Sequence, residues 1–143
     1  MKSNIQAKTV LEINAPAARV WEALVKPELV KKYLFGTNVH TDWKVGSPIY
    51  FRGEWEGTKY EDKGTLLEVQ ENSVLKYDYY SSMSPLEDKP ENYMIISFLL
   101  SEDKGKTTLT CIQENVADEK TKEHSQATWQ MVLNTMKEIV EGK

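Results

Sequence analysis

The stretch from Thr121 to Val140 constrains this chain more than any other. Trp129, Val132, Leu133, Met136, Ile139 and Val140 recur at helical spacing and form one apolar stripe, with Gln126, Gln130, Asn134 and Lys137 opposite. About twenty helical residues at ~1.5 Å each make a rod of about 30 Å, the width of a small domain. Most of the chain before it alternates with period two instead. A sheet with one apolar face needs a cover, and this rod is the only element long enough to supply it. The flank of the stripe changes along its length, from His124, Ser125 and Thr128 near the start to aliphatic residues further on. Those polar residues either line a space or sit at the edge of a buried face.

The strands are placed by their alternation and their turns. Ala7 to Ile13 is a short β-prone run with Thr9, Leu11 and Ile13 on one face. Asn14-Ala15-Pro16 predicts a helix start with Asn14 as its cap. Val20, Trp21, Leu24 and Val25 supply its inner face until Lys26-Pro27 stops it. A second short helix follows, with Leu29, Val30, Tyr33 and Leu34 inward and Gly36 as C-cap. Asn38 to Asp42 is a weak strand. Ile49, Phe51, Gly53 and Trp55 then alternate with Tyr50, Arg52 and Glu54 in a clear half-buried one. After a turn at Glu56-Gly57, Lys59 to Val69 returns with Thr65, Leu67 and Val69 assigned inward, and Val74 to Tyr80 places Leu75, Tyr77 and Tyr79 on one face. Ser81 to Asn92 is a polar loop containing Pro85 and Pro90. Tyr93 to Leu100 is nearly all apolar, as for a strand covered on both sides or lying in a strongly curved sheet. Thr107 to Glu114 is the last strand. The expected fold is α+β: a curved antiparallel sheet of six to seven strands wrapped around the long C-terminal helix, with two short helices after the first strand.

A length of 143 residues, with 40% apolar residues and charges spread along the chain, suits a single domain over residues 1–143. The net charge of −4 argues against nucleic acid and anionic membranes as partners. No stretch is apolar enough for a membrane span, and Met1 to Thr9 has no apolar core of a signal peptide. The lone Cys111 lies in a strand-like run, is expected to be buried, and suits a reducing compartment, so a cytoplasmic location is expected.

Motifs of chemistry are sparse. His40 and His124 are far apart and Cys111 has no partner at ligand spacing, so no metal site is expected. The chain has no nucleophile elbow, no glycine-rich dinucleotide fingerprint and no phosphate loop, so neither a cofactor nor a catalytic residue is assigned.

Several segments, in order, carry a family resemblance. These are Ala15-Pro16-Ala17-Ala18-Arg19-Val20-Trp21-Glu22-Ala23-Leu24 through Lys26-Pro27-Glu28-Leu29, and the turn Asp42-Trp43-Lys44-Val45-Gly46-Ser47. Phe51 through Gly57-Thr58-Lys59-Tyr60 follows, then Gly64 to Val69, Gly105-Lys106-Thr107-Thr108-Leu109-Thr110, and the helical Thr128-Trp129-Gln130-Met131-Val132-Leu133-Asn134-Thr135-Met136. Together they resemble the activator of heat-shock-protein-90 ATPase homologue-like family of the SRPBCC superfamily, whose folds are START-related and birch-pollen-allergen-like. The chain departs from the family pattern at Tyr33, where a tryptophan is usual, and at Ser47 and Thr128, where glycines are usual.

The resemblance implies a helix-grip fold with an apolar cavity between the long helix and the sheet, closed at one end by the second helix. The lining expected from it is Tyr33, Phe51, Trp55, Leu67, Tyr77, Tyr79, Ser125 and Thr128. The function it implies is non-enzymatic binding of a small hydrophobic molecule, a lipid or an aromatic compound. A chaperone-associated, ATPase-activator-like interaction module linked to stress response is the alternative. A cyclase or aromatase is the third possibility, with His124 and Arg52 as the candidate acid–base groups.

Overall fold

The computed structural model describes residues 4–82 and 86–142, and for Trp55 only the backbone. Met83 to Pro85 of the expected loop therefore lie outside the described residues. The described residues form seven strands and three α-helices. In chain order these are β1 (Ile5–Ile13), α1 (Ala17–Val25), α2 (Pro27–Tyr33), β2 (Asn38–His40), β3 (Pro48–Trp55), β4 (Thr58–Gln70), β5 (Val74–Tyr79), β6 (Met94–Asp103), β7 (Lys106–Val116) and α3 (Glu119–Val140). A single 3₁₀ turn, Pro90–Asn92, precedes β6.

Every strand pair is antiparallel, and the order across the sheet is β1-β7-β6-β5-β4-β3-β2. Strands β2 to β7 are thus a meander of sequence neighbours, while β1 lies at the far edge beside β7. The α1–α2 segment carries the chain from one edge of the sheet to the other. It can do so because the sheet curls around the core that these helices help to fill.

Two bulges set which residues face that core. In β4 the inward residues are Asp62, Gly64 and Leu66, and Leu67 is 40% exposed on the outer face. This corrects the phase expected from the sequence, in which Thr65 and Leu67 pointed inward. Adjacent leucines leave the alternation ambiguous. A register shift against β5 between Leu66 and Glu68 then brings Val69 back onto the core. Gly64 permits a close approach here, because a Cβ at that position would lie 1.8 Å from the Asp78 carbonyl oxygen. In β7, Asn115 takes φ 62°, and a shift in the β1 pairing keeps both Gln113 and Val116 buried. The apolar β6 is not covered twice: its outer side carries Ile95, Ser97 and the exposed Leu99 of a curved sheet.

Helix α1 starts later than its sequence suggests. Asn14 does not cap it; Pro16 occupies that position without a side-chain bond. The free N–H of Ala17 instead donates to Glu102 Oε1 of β6 at 2.7 Å, and Thr107 Oγ1 donates to the Ala15 carbonyl at 2.8 Å. A carboxylate brought by the tertiary fold has replaced the local cap.

Helix α3 is held firmly over half its length. Val132, Leu133, Met136 and Val140 are buried, with Ile139 packed against them, whereas no residue before Val132 is fully buried. Its start is capped by Asp118, whose carboxylate accepts the Thr121 N–H at 2.7 Å. Its end is tied to β1: Lys137 Nζ donates to the Glu12 carbonyl at 2.9 Å, and Glu141 Oε2 accepts the Asn14 N–H at 2.7 Å. Truncating Leu133, which is fully buried, to alanine should cost about 2–5 kcal/mol in urea unfolding. Met131→Ala, on the exposed face, should change stability by less than about 0.5 kcal/mol.

Candidate functional site

Where α3 stands away from the sheet, an open pocket of about 560 Å³ remains. Its volume falls within the usual range for small-molecule sites. The floor is aromatic. Phe51 of β3 packs on Tyr77 and Tyr79 of β5 with ring centroids 5.4 and 5.6 Å apart, Tyr77 continues to Phe98 at 6.3 Å, and Phe98 meets Trp129 of α3 edge-on at 5.7 Å. Met94 and Ile96 of β6 extend this floor, and Leu34 and Phe35 at the end of α2 form one rim. Phe35 takes φ 54° and is 53% exposed, an unusual position for a bulky residue.

Polar groups sit at two places. On the β4 side, the buried Asp62 takes a hydrogen bond from the Tyr79 hydroxyl on Oδ2. Its Oδ1 receives the Ser82 N–H at 2.9 Å and the Ser82 hydroxyl at 3.1 Å. Burial first, and then the neighbouring Asp62, push the Tyr79 hydroxyl well above its ordinary range. Next to it, the Tyr60 and Thr37 hydroxyls share a 2.5 Å bond. Tyr60 reaches Thr37 because it lies over Gly53 on the neighbouring strand: a Cβ there would be 2.4 Å from the tyrosine oxygen. On the β7 side, Gln113 Oε1 accepts the Trp129 indole N–H at 2.8 Å, which fixes the ring at the pocket wall.

The α3 wall presents Ser125 and Thr128, with the exposed His124 at the mouth. Among the described residues, the hydroxyls of Ser125, Thr128 and Tyr77 have no hydrogen-bond partner, and no fully buried side-chain polar atom is left unpaired. The three hydroxyls therefore have donors and acceptors that no protein group uses.

Of the residues expected at this site, Phe51, Tyr77, Tyr79, Ser125 and Thr128 come together on the pocket. Tyr33 lies one layer deeper. It is buried, donates to the Ala23 carbonyl at 2.6 Å, and borders a separate void of about 30 Å³ under α2. Leu67 is on the opposite face of the sheet, a correction that follows from the β4 phase, and the Trp55 side chain lies outside the described residues. Arg52 also faces outward, paired with Glu61 at 2.6 Å and lying over the Tyr50 ring, so it does not share a cavity with His124. Sequence reasoning missed Tyr60, Asp62 and Gln113. The correct β4 phase would have found the first two, and continuing the Leu109–Cys111 alternation would have found the third. Among the described residues no three His, Cys, Asp or Glu side chains converge as metal ligands, and no helix is long and apolar enough to cross a membrane.

A curved seven-stranded antiparallel sheet closed by one long C-terminal helix, with a pocket between them, defines a helix-grip protein of the SRPBCC type. Residues 14–141 match the family described as Activator of Hsp90 ATPase homolog 1-like protein, and the chain belongs to it. A Cytophaga hutchinsonii protein solved in solution is 42% identical, with a TM-score of 0.86 over 99% of this chain and 97% of that one. A Chromobacterium violaceum crystal structure is 24% identical, with a TM-score of 0.78 over 95% and 96% of the two chains. The solution structure of the Aha1 dimer from Colwellia psychrerythraea is 17% identical, with a TM-score of 0.74 over 96% of each chain. The latter two likenesses concern the fold alone. No curated protein matches the sequence significantly.

Burial also raises Tyr33 and Tyr77 well above the ordinary tyrosine value of 10.0. All three buried phenols are therefore neutral in the folded chain at a pH where the unfolded chain would ionise. The stability they contribute is complete below pH 10 and is lost as pH rises toward the raised folded values. A spectrophotometric titration should show a last step, from Tyr33, Tyr77 and Tyr79, that coincides with loss of the circular dichroism signal. Titration of all seven tyrosines before unfolding would contradict this burial.

Proposed function

We propose that this chain is a non-enzymatic binding protein that holds a small hydrophobic molecule between the first half of α3 and the sheet. One observation carries this reading: full burial along α3 begins only at Val132, and an aromatic-floored pocket of about 560 Å³ lies beneath its polar half. A helix that served only to close the core would be expected to bury its first three turns as well. The unpartnered hydroxyls of Ser125, Thr128 and Tyr77 support it, since pockets of this kind are apolar with a few placed polar groups. Arg52 faces outward, away from the pocket that His124 borders, which weighs against an acid–base role for it there.

The second reading, a chaperone-associated module, has its own observation. The family description refers to activation of a chaperone ATPase, and the outer face of the sheet exposes Val10 and Leu99 across Thr110. A pull-down with the purified chaperone and an ATPase assay would test it.

For the binding reading, hydrophobic fluorescent probes should bind and raise the melting temperature, the stabilisation growing with the logarithm of probe concentration above Kd. Ser125→Trp, which fills the pocket from α3, should reduce probe affinity about ten-fold or more while the protein stays folded. Probe binding that is unchanged in this variant would place the site elsewhere.

A further inference from the structure

The pocket has an electrostatic character that its apolar floor hides. Among the described residues no lysine or arginine lines it, Asp62 is its one carboxylate, and His124 stands at the mouth. Asp62 is only 8% exposed, and among the described residues it has no ion pair. Its three hydrogen-bond donors, from Tyr79 and from the Ser82 backbone and hydroxyl, are all neutral. They use Oδ1 twice and Oδ2 once, so acceptor capacity remains on Oδ2.

Beside it, one bond between Tyr60 and Thr37 uses one of their two protons and leaves the other. A ligand that covers this corner strips water from an uncompensated carboxylate. The cost is offset only if the ligand returns a hydrogen-bond donor or a positive charge. A ligand with a carboxylate of its own would instead meet a like charge across a dry gap.

Resting on the binding function proposed above, we infer that the pocket selects by head group. It takes an apolar molecule whose polar end is an uncharged donor or a cation, seated against Asp62, and it rejects anionic amphiphiles such as fatty acids. The lipid arm of the small hydrophobic class is thereby narrowed to neutral and cationic compounds. The α3 wall, with Ser125 and Thr128, carries no carboxylate.

The test uses three probes with one aromatic body, 1-pyrenemethanol, 1-pyrenemethylamine and 1-pyrenecarboxylate, titrated by fluorescence into the full chain. The alcohol and the amine should bind about ten-fold or more tightly than the carboxylate. That preference should persist at high salt, where the long-range field of a net −4 chain is screened but a buried contact is not. Asp62→Asn keeps an acceptor for Ser82 and should bring the amine and the carboxylate to within about three-fold of one another. Thermal melting checks that this variant is folded; if it is not, the ranking in the unaltered chain decides alone. Equal binding of all three probes overturns the head-group selection and leaves the binding function standing. So does a preference that vanishes with salt or survives in folded Asp62→Asn. Binding of none of the three overturns both.

Discussion

The packing of the last two and a half turns of α3 against β1 and the short helices is the contact on which the rest depends. Leu133 and Met136 are fully buried there, in a core that also includes Ile13, Val20 and Leu109. The bonds from Lys137 and Glu141 to the end of β1 fix the position of the rod along its axis. The first half is held more lightly, by the Trp129 ring on Phe98 and Gln113 and by Gln126 on the Lys8 carbonyl. The sheet curves away beneath this half, and the pocket is the space left between them.

The fold was largely legible because its signals are long-range periodicities. The switch from period two to period 3.6, and the tight turns between strands, dictate a meander and a covering helix almost regardless of detail. What escaped was phase. In β4 the adjacent Leu66 and Leu67 fit either face, and a bulge that no residue type announces decided between them. That single ambiguity moved Leu67 out of the expected lining and hid Tyr60 and Asp62. The start of α1 failed for a different reason. Asn14 has the chemistry of a cap, but Glu102, distant in sequence, reaches the helix first. Local propensity was overridden by a tertiary partner.

The site combines two conflicting requirements. Aromatic rings in edge and tilted contacts supply area and rigidity at little conformational cost, which suits an apolar guest. Within the same wall, Asp62 is kept buried by hydroxyls and an amide rather than by a cation. That arrangement satisfies geometry while leaving the charge uncancelled. A purely structural acid on a strand is more economically placed facing water, as Glu61 and Glu68 are on the outer face of the same β4.

The neighbour relation of β1 and β7 has a consequence in time. Leu11 sits opposite Leu109, and the end of β1 is bonded to Lys137 and Glu141. As the chain emerges from a ribosome, β1 is made before the other six strands and has no partner until β7 has followed. The meander from β2 to β7 can assemble from sequence neighbours in the meantime, but its curl, its cover and its last edge all wait for the C-terminal helix. Closure is therefore a late and collective event. The pocket does not exist on the nascent chain until β7 and α3 have been made and have closed on β1.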